Sequence, residues 1–240
     1  MKKAVVAVVA VVVLATAGFW FFVVRDDPPD ELSLSETDAG ADSSGDANGE
    51  TVTLDGTWTV VAGDPTAAGL RIDETFLSGI AHTAVGRTSE VTGSLTIAGA
   101  SATQGSFTAD LTGLSFSDAP AGLDVANRSR ALQTSGLETD RFPDATFALT
   151  APIELGAVPA PGEVVTADAT GDLTLHGVTR EITVSVDAQV LEDGRRIEVV
   201  SADPVKVVLA DHDIEPPVVG PVAEVAPEGS FEFKLVLTKG

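Results

Sequence analysis

The chain has 240 residues, enough for one large β domain with appendages or at most two domains. It contains no cysteine, which removes disulfides, thiol chemistry and a lipid-modified cysteine anchor from consideration. Its formal charge of −22 argues against nucleic acid, whose phosphates require cationic partners, and the lack of tyrosine leaves aliphatic and Phe side chains as the main surface for any buried ligand.

Residues 1–24 begin Met1-Lys2-Lys3 and then run without a charge from Ala4 to Val24. As a helix that run would extend about 30 Å, the thickness of a bilayer core. Two readings compete. A cleaved signal peptide would use Ala15-Thr16-Ala17 as its small-residue site, leaving a secreted product. The apolar run continues past it through Phe19, Trp20, Phe21 and Phe22, however, which suits an uncleaved transmembrane anchor with its lysines held in the cytoplasm. The expectation is a single-pass protein of the cell membrane with its C-terminal part outside the cytoplasm. Residues 25–50 are acidic and rich in Ser, Gly, Asp and Pro, a composition that cannot offset the entropy of ordering, so they read as a disordered linker.

From residue 51 to 240 the pattern becomes short alternating runs separated by turn residues, with no sustained helical period. Trp58 and Val60 belong to an opening strand, and Phe107, Ala109 and Leu111 alternate with polar residues. Residues 117–140 break the alternation, and the stretch 127–142 can hold one or two helical turns with Asn127 as N-cap. Phe147 and Leu149 restart a strand. The longest signal is GDLTLHGVTREITVSVDAQV, residues 171–190, where His176-Gly177 reads as a tight primed turn between two alternating arms. One face carries Leu173, Leu175, Val178, Ile182, Val184 and Val186; Arg180 falls on that same face and needs a rim position, a carboxylate partner or an anionic ligand. The second arm, from Val178 to Val190, would reach roughly 40 Å at about 3.3 Å per residue, a length that suits a tilted barrel strand. Asp193-Gly194 marks another hairpin, and Phe231, Phe233, Leu235 and Leu237 alternate in a closing strand. About eight antiparallel strands with one-sided polarity predict an all-β closed barrel or sandwich, with closure favoured because strands this long would otherwise expose flat edges.

Chemistry is sparse. No nucleophile elbow, zinc-protease helix or phosphate-binding glycine loop is present, so the expectation is a protein that is not an enzyme and needs no cofactor. His176 reads as a turn former, and the Asp211-His212-Asp213 cluster with Glu215 as a solvated loop or a weak cation site. Arg128, Arg130 and Arg141, with Leu132, Leu137, Phe142 and Phe147, can form an amphipathic barrel mouth.

These residues also resemble a known family. GDLTLHGVTREITV is similar to the signature hairpin of the YceI-like family, the lipocalin-like polyisoprenoid-binding proteins. DGTWTV (55–60) resembles the family's opening strand, SGLETDRFPDATF (135–147) its segment ending in R-F-P-x-A-x-F, and 231–237 its closing strand, so the likeness spans roughly 55–238. The resemblance implies an extended eight-stranded antiparallel barrel, exported, holding an isoprenoid or other lipid-like chain. It places Leu132, Leu137, Phe142 and Phe147 at the mouth; Phe76, Ile80, Arg180, Ile182 and Val184 join them as candidate ligand contacts from the residue pattern. The chain departs from the family in three places: Arg128-Ser129-Arg130-Ala131-Leu132 lacks the usual histidine before its leucine, no His-Ser pair follows the opening strand, and Asp211-His212-Asp213-Ile214 replaces the usual polar-aromatic segment near the closing strand. A membrane-tethered structural or adhesive β module, its barrel filled by its own side chains, is the competing reading.

Overall fold

The computed structural model describes residues 28–35, 53–116, 124–191 and 194–240. The anchor segment 1–24, the rest of the linker outside 28–35, and Asp193 of the second hairpin lie outside the described residues.

Among the described residues there are thirteen strand segments in one antiparallel sheet. They are β1 (Gly56–Val60), β2 (Ala67–Phe76), β3 (Ala81–Thr88), β4 (Val91–Ala98), β5 (Ser101–Asp110), β6 (Ser115–Phe116) and β7 (Asp144–Leu149). β8 (Ile153–Glu154), β9 (Val164–Leu175), β10 (Val178–Val190), β11 (Arg196–Ser201), β12 (Val205–Val208) and β13 (Val222–Lys239) complete the set. Eight of them close a ring in the order β1-β4-β5-β7-β9-β10-β11-β13 and back to β1. This is the expected eight-stranded barrel.

The excess over eight segments comes from breaks within long strands. β1 and β2 follow one another along the same edge of β13, β1 opposite Leu237–Lys239 and β2 opposite Val222–Lys234. β3 and β4 do the same along β2 and β1. β11 and β12 share the other edge of β13. At one end all eight strands pair, which closes the barrel. At the other end β2, β3, β6, β12 and the start of β13 form one wall and β7, β9 and β10 the opposite wall, so the barrel opens into a mouth.

Two irregular segments bridge the openings. A short helix, α1 (Val125–Ala131), runs into a π-helical turn, Leu132–Gly136. Asp124, not Asn127, is its N-cap, because the Asp124 carboxylate accepts the Asn127 N–H at 3.0 Å. Asn127 instead accepts from Arg130 Nη1 at 3.0 Å. A 3₁₀ turn, Leu209–His212, closes the gap between β12 and β10.

The central hairpin forms in the predicted register, with Val178 opposite Leu175 and Val184 opposite Ala169. His176 and Gly177 both adopt left-handed φ, 52° and 76°, as a type I′ turn demands. Gly177 is doubly constrained, since a Cβ there would lie 2.7 Å from the Phe142 ring. His176 does more than form the turn. Its Nδ1 lies 3.0 Å from the His212 carbonyl and its Nε2 3.2 Å from Glu138, so the hairpin tip is tied to both bridging segments.

One stretch assigned to the disordered linker is ordered. Residues 28–35 lie along the outside of β2, β3, β13 and β11. Arg71 and Arg87 donate to the Pro29 and Asp30 carbonyls, and Leu32 N donates to Glu232. Lys234 donates to the Ser33 carbonyl, and Ser35 N and Oγ both donate to Glu198. Composition predicts disorder because this stretch has little apolar surface; it is held instead through its main chain by charged groups of the barrel wall. Glu198 and Glu232, on the outward side of their strands, are 3 % and 2 % exposed.

Candidate functional site

Alternation along each strand sends one side chain in two into the barrel. At the closed end these side chains fill the interior: Leu54, Trp58, Leu95, Ile97, Ile197 and Leu237 form the core, and Phe107, Leu149 and Phe233 pack on it from above. A small cavity of about 70 Å³ remains there. The interior is therefore not one continuous long tunnel.

The open half holds a second cavity of about 220 Å³. Phe107, Phe147 and Phe233 lie at its base, Leu70, Leu173 and Phe231 along its sides, and Leu132, Leu137, Ile214 and Pro217 at its mouth. Phe107, Phe147 and Leu173 stand side by side on β5, β7 and β9. The Phe147 ring lies across Gly171, where any Cβ would meet it at 2.6 Å. The space itself comes from a small cross-strand pair, Ala109 opposite Ala145, where larger residues would project inward. The cavity exceeds an engineered 150 Å³ apolar cavity that takes benzene, but falls below the 300–1,000 Å³ of pockets that enclose drug-sized ligands.

One corner of this wall is charged. Glu74, on the inward side of β2, accepts from Arg128 Nη2 at 2.5 Å, and His82 Nδ1 lies 2.9 Å from the same carboxylate oxygen. All three are nearly excluded from solvent. The Arg128 guanidinium stacks 4.4 Å from the Phe116 ring, and its Nη1 is a buried donor without a partner among the described residues. Glu74 and Arg128 both line the cavity. A buried N–H without an acceptor is costly, so this corner is suited to an oxygen-bearing group.

The sequence-predicted contacts do not gather in one place. Leu132, Leu137 and Phe147 line the cavity. Phe76 is buried outside the lining, edge-on to His82 at 5.9 Å, and Ile80 is 42 % exposed on the β2–β3 turn. Phe142 packs on His176 at 4.4 Å. Ile182 and Val184 do not line the cavity; they stand with Ala169 and Val186 behind Phe147, Phe231 and Phe233 of its lining. Arg180 does take a rim position: its Nε and Nη2 donate to the Asp211 carbonyl at 3.2 and 3.0 Å, joining β10 to the 3₁₀ turn. Sequence reasoning missed Glu74 and the lining of β5 and β13. The one available signal for Glu74 was a carboxylate in phase with Leu70 and Ile72 on β2.

A closed antiparallel barrel, packed at one end and hollow and apolar at the other, defines the lipocalin-like class of container. The chain belongs to the YceI-like domain family, whose model matches residues 46–237. Comparison with curated proteins found no match. Among solved structures, the chain is similar to a polyisoprenoid binding domain from Saccharophagus degradans implicated in plant cell wall breakdown, at 20 % identity and a TM-score of 0.58, covering 76 % of this chain and 98 % of that one. It is also similar to Burkholderia cenocepacia BcnA, at 19 % identity and a TM-score of 0.44, covering 70 % and 95 %.

Proposed function

We propose that the barrel binds the apolar tail of a lipid, isoprenoid in class, with the polar end of the ligand at the Glu74–Arg128 corner. The carrying observation is the 220 Å³ cavity, apolar on every side but one. Burying alkyl surface is worth about 0.8 kcal/mol per CH₂, so each five-carbon unit contributes on the order of 4 kcal/mol without any specific polar contact. The volume suits a short chain, or the end of a longer one whose remainder leaves through the mouth. The polyisoprenoid-binding character of the Saccharophagus degradans domain supports the isoprenoid class.

We read the molecule as a binding protein and not an enzyme. Glu74, the cavity's inward carboxylate, is already held by Arg128 and His82. The apolar run 4–24 supports a membrane anchor that leaves the barrel outside the cytoplasm. Among the described residues no helix is long and apolar enough to cross a membrane, and residues 1–27 lie outside that set.

The test is to purify residues 28–240, extract with organic solvent and identify the released molecules by mass spectrometry, then measure saturable uptake of prenyl alcohols and fatty chains. A stoichiometric prenyl or acyl lipid is expected. Absence of both co-purifying lipid and uptake sinks the proposal in favour of the structural β module, which the packed closed end of the barrel favours.

A further inference from the structure

We infer that the mouth of the barrel is a membrane-docking surface, held against the bilayer in which the chain's own apolar segment is anchored. The inference rests on the anchor reading above and adds the orientation. Three observations carry it.

The first is the polarity of the segment 28–35. Its contacts descend β13 in order: Pro29 meets Arg71, which stands opposite Ser230; Leu32 meets Glu232; Ser33 meets Lys234; and Ser35 meets Glu198, opposite Val236. β13 runs from the mouth to the closed end, so the segment does too, and Pro28, its first described residue, is its mouth-side end.

The second is reach. Only residues 25–27 separate Val24 from Pro28, which spans at most about 14 Å. From Arg71 to the tip of β2 at Phe76 is about 17 Å, whereas from Ser230 to the closed end at Lys239 is about 30 Å. A tether this short, joined to the mouth-side end of the segment, brings the mouth to the bilayer and keeps the closed end away from it.

The third is the surface found there. The β2–β3 turn leaves Leu77 75 % and Ile80 42 % exposed, and the loop before β13 leaves Val218 58 % exposed. The two loops are joined, Leu77 N donating to the Pro221 carbonyl at 2.8 Å. Neither 76–81 nor 216–222 contains a charged residue, in a chain of net charge −22. Uncharged apolar loops at the tip of so acidic a body suit the interface of an uncharged or zwitterionic leaflet. Docked this way, the mouth receives an apolar tail from the bilayer without exposing it to bulk water.

The absence of cysteine makes the test direct. The full chain, reconstituted in phosphatidylcholine vesicles, carries one environment-sensitive label at Leu77→Cys, Val218→Cys or, at the closed end, Thr103→Cys. Quenching by spin-labelled lipid should be several-fold stronger at the two mouth positions than at Thr103→Cys. An Ile80→Cys label should fall to the closed-end level when Leu77 and Val218 are both changed to Ser, with an unchanged β-sheet circular dichroism spectrum as the check on folding. Alkaline extraction of the same vesicles separates the two levels of the argument. Release of the chain overturns the anchor and this inference with it. Retention with equal quenching at both ends overturns the orientation alone. Burial of the mouth labels that depends on protein concentration and not on lipid assigns the surface to a second copy of the chain and overturns docking.

Discussion

Arg128 shows what single residues contribute at the cavity wall. Its ion pair with Glu74 is buried, and removing one partner leaves the other charge without compensation. Arg128→Met is expected to lower unfolding free energy by about 3–5 kcal/mol in a urea titration. Adding Glu74→Gln to it should recover part of that loss, and a double-mutant cycle reports the coupling. Additive effects would show that the pair is not coupled. Arg180 gives the contrast. Its side chain is half exposed and its bonds go to a main-chain carbonyl, with the Asp211 carboxylate 3.9 Å away. Arg180→Ala should cost no more than about 1 kcal/mol and leave lipid uptake unchanged. Reduced uptake would assign it a direct ligand contact.

At the scale of elements, the cavity depends on which strand positions are small. Ala109 on β5 and Ala145 on β7 face one another beneath Leu111 and Leu132, and replacing Ala109 by Phe should place a ring in the space the tail would occupy. The expected result is a folded barrel, by circular dichroism and Trp58 fluorescence, that no longer carries lipid. Undiminished lipid in the folded variant would place the ligand elsewhere. The hairpin 171–190 was legible in sequence because period two, a primed turn and length all agree there. The cavity was less legible. Phe107, Phe231 and Phe233 are visible as inward residues of strands, but whether an inward side chain fills the core or borders a void depends on its height along the barrel. That height follows from ring closure and from the breaks between β1 and β2 and between β3 and β4, neither of which is written in local periodicity. Ile182 and Val184 illustrate the difference, since they share the inward phase of Leu173 and Leu175 yet do not line the cavity. Glu74 was masked by abundance, because in so acidic a chain its phase with Leu70 and Ile72 gains weight only once its partner Arg128 is known.

At the scale of the whole molecule, segment 28–35 links whatever precedes it to the barrel wall, and the strength of that link is pH-dependent. Disorder predicted from composition failed here because the holding groups belong to distant strands and act on main-chain atoms, a pairing no local window contains. Burial raises the Glu198 carboxyl, but the hydrogen bonds from Ser35 N and Oγ, the Lys234 ammonium and the Gln189 amide together outweigh it, leaving its pKa below the ordinary carboxylate value. A depressed folded-state pKa means stabilisation that is complete above the unfolded value, near 4.3, and lost as pH falls through the lower folded value. As pH falls through that lower value the folded-state Glu198 becomes protonated, its attraction for Lys234 disappears, and the Ser35 end of the segment is held less tightly. Amide exchange at Ser35, corrected for the intrinsic pH dependence, should therefore stay constant from neutral pH down to about 5 and accelerate below about 4. Glu198→Gln should remove the component of that acid response at Ser35 that arises from Glu198 and raise exchange at neutral pH. An unchanged acid profile in the variant would show that Glu198 does not control the attachment.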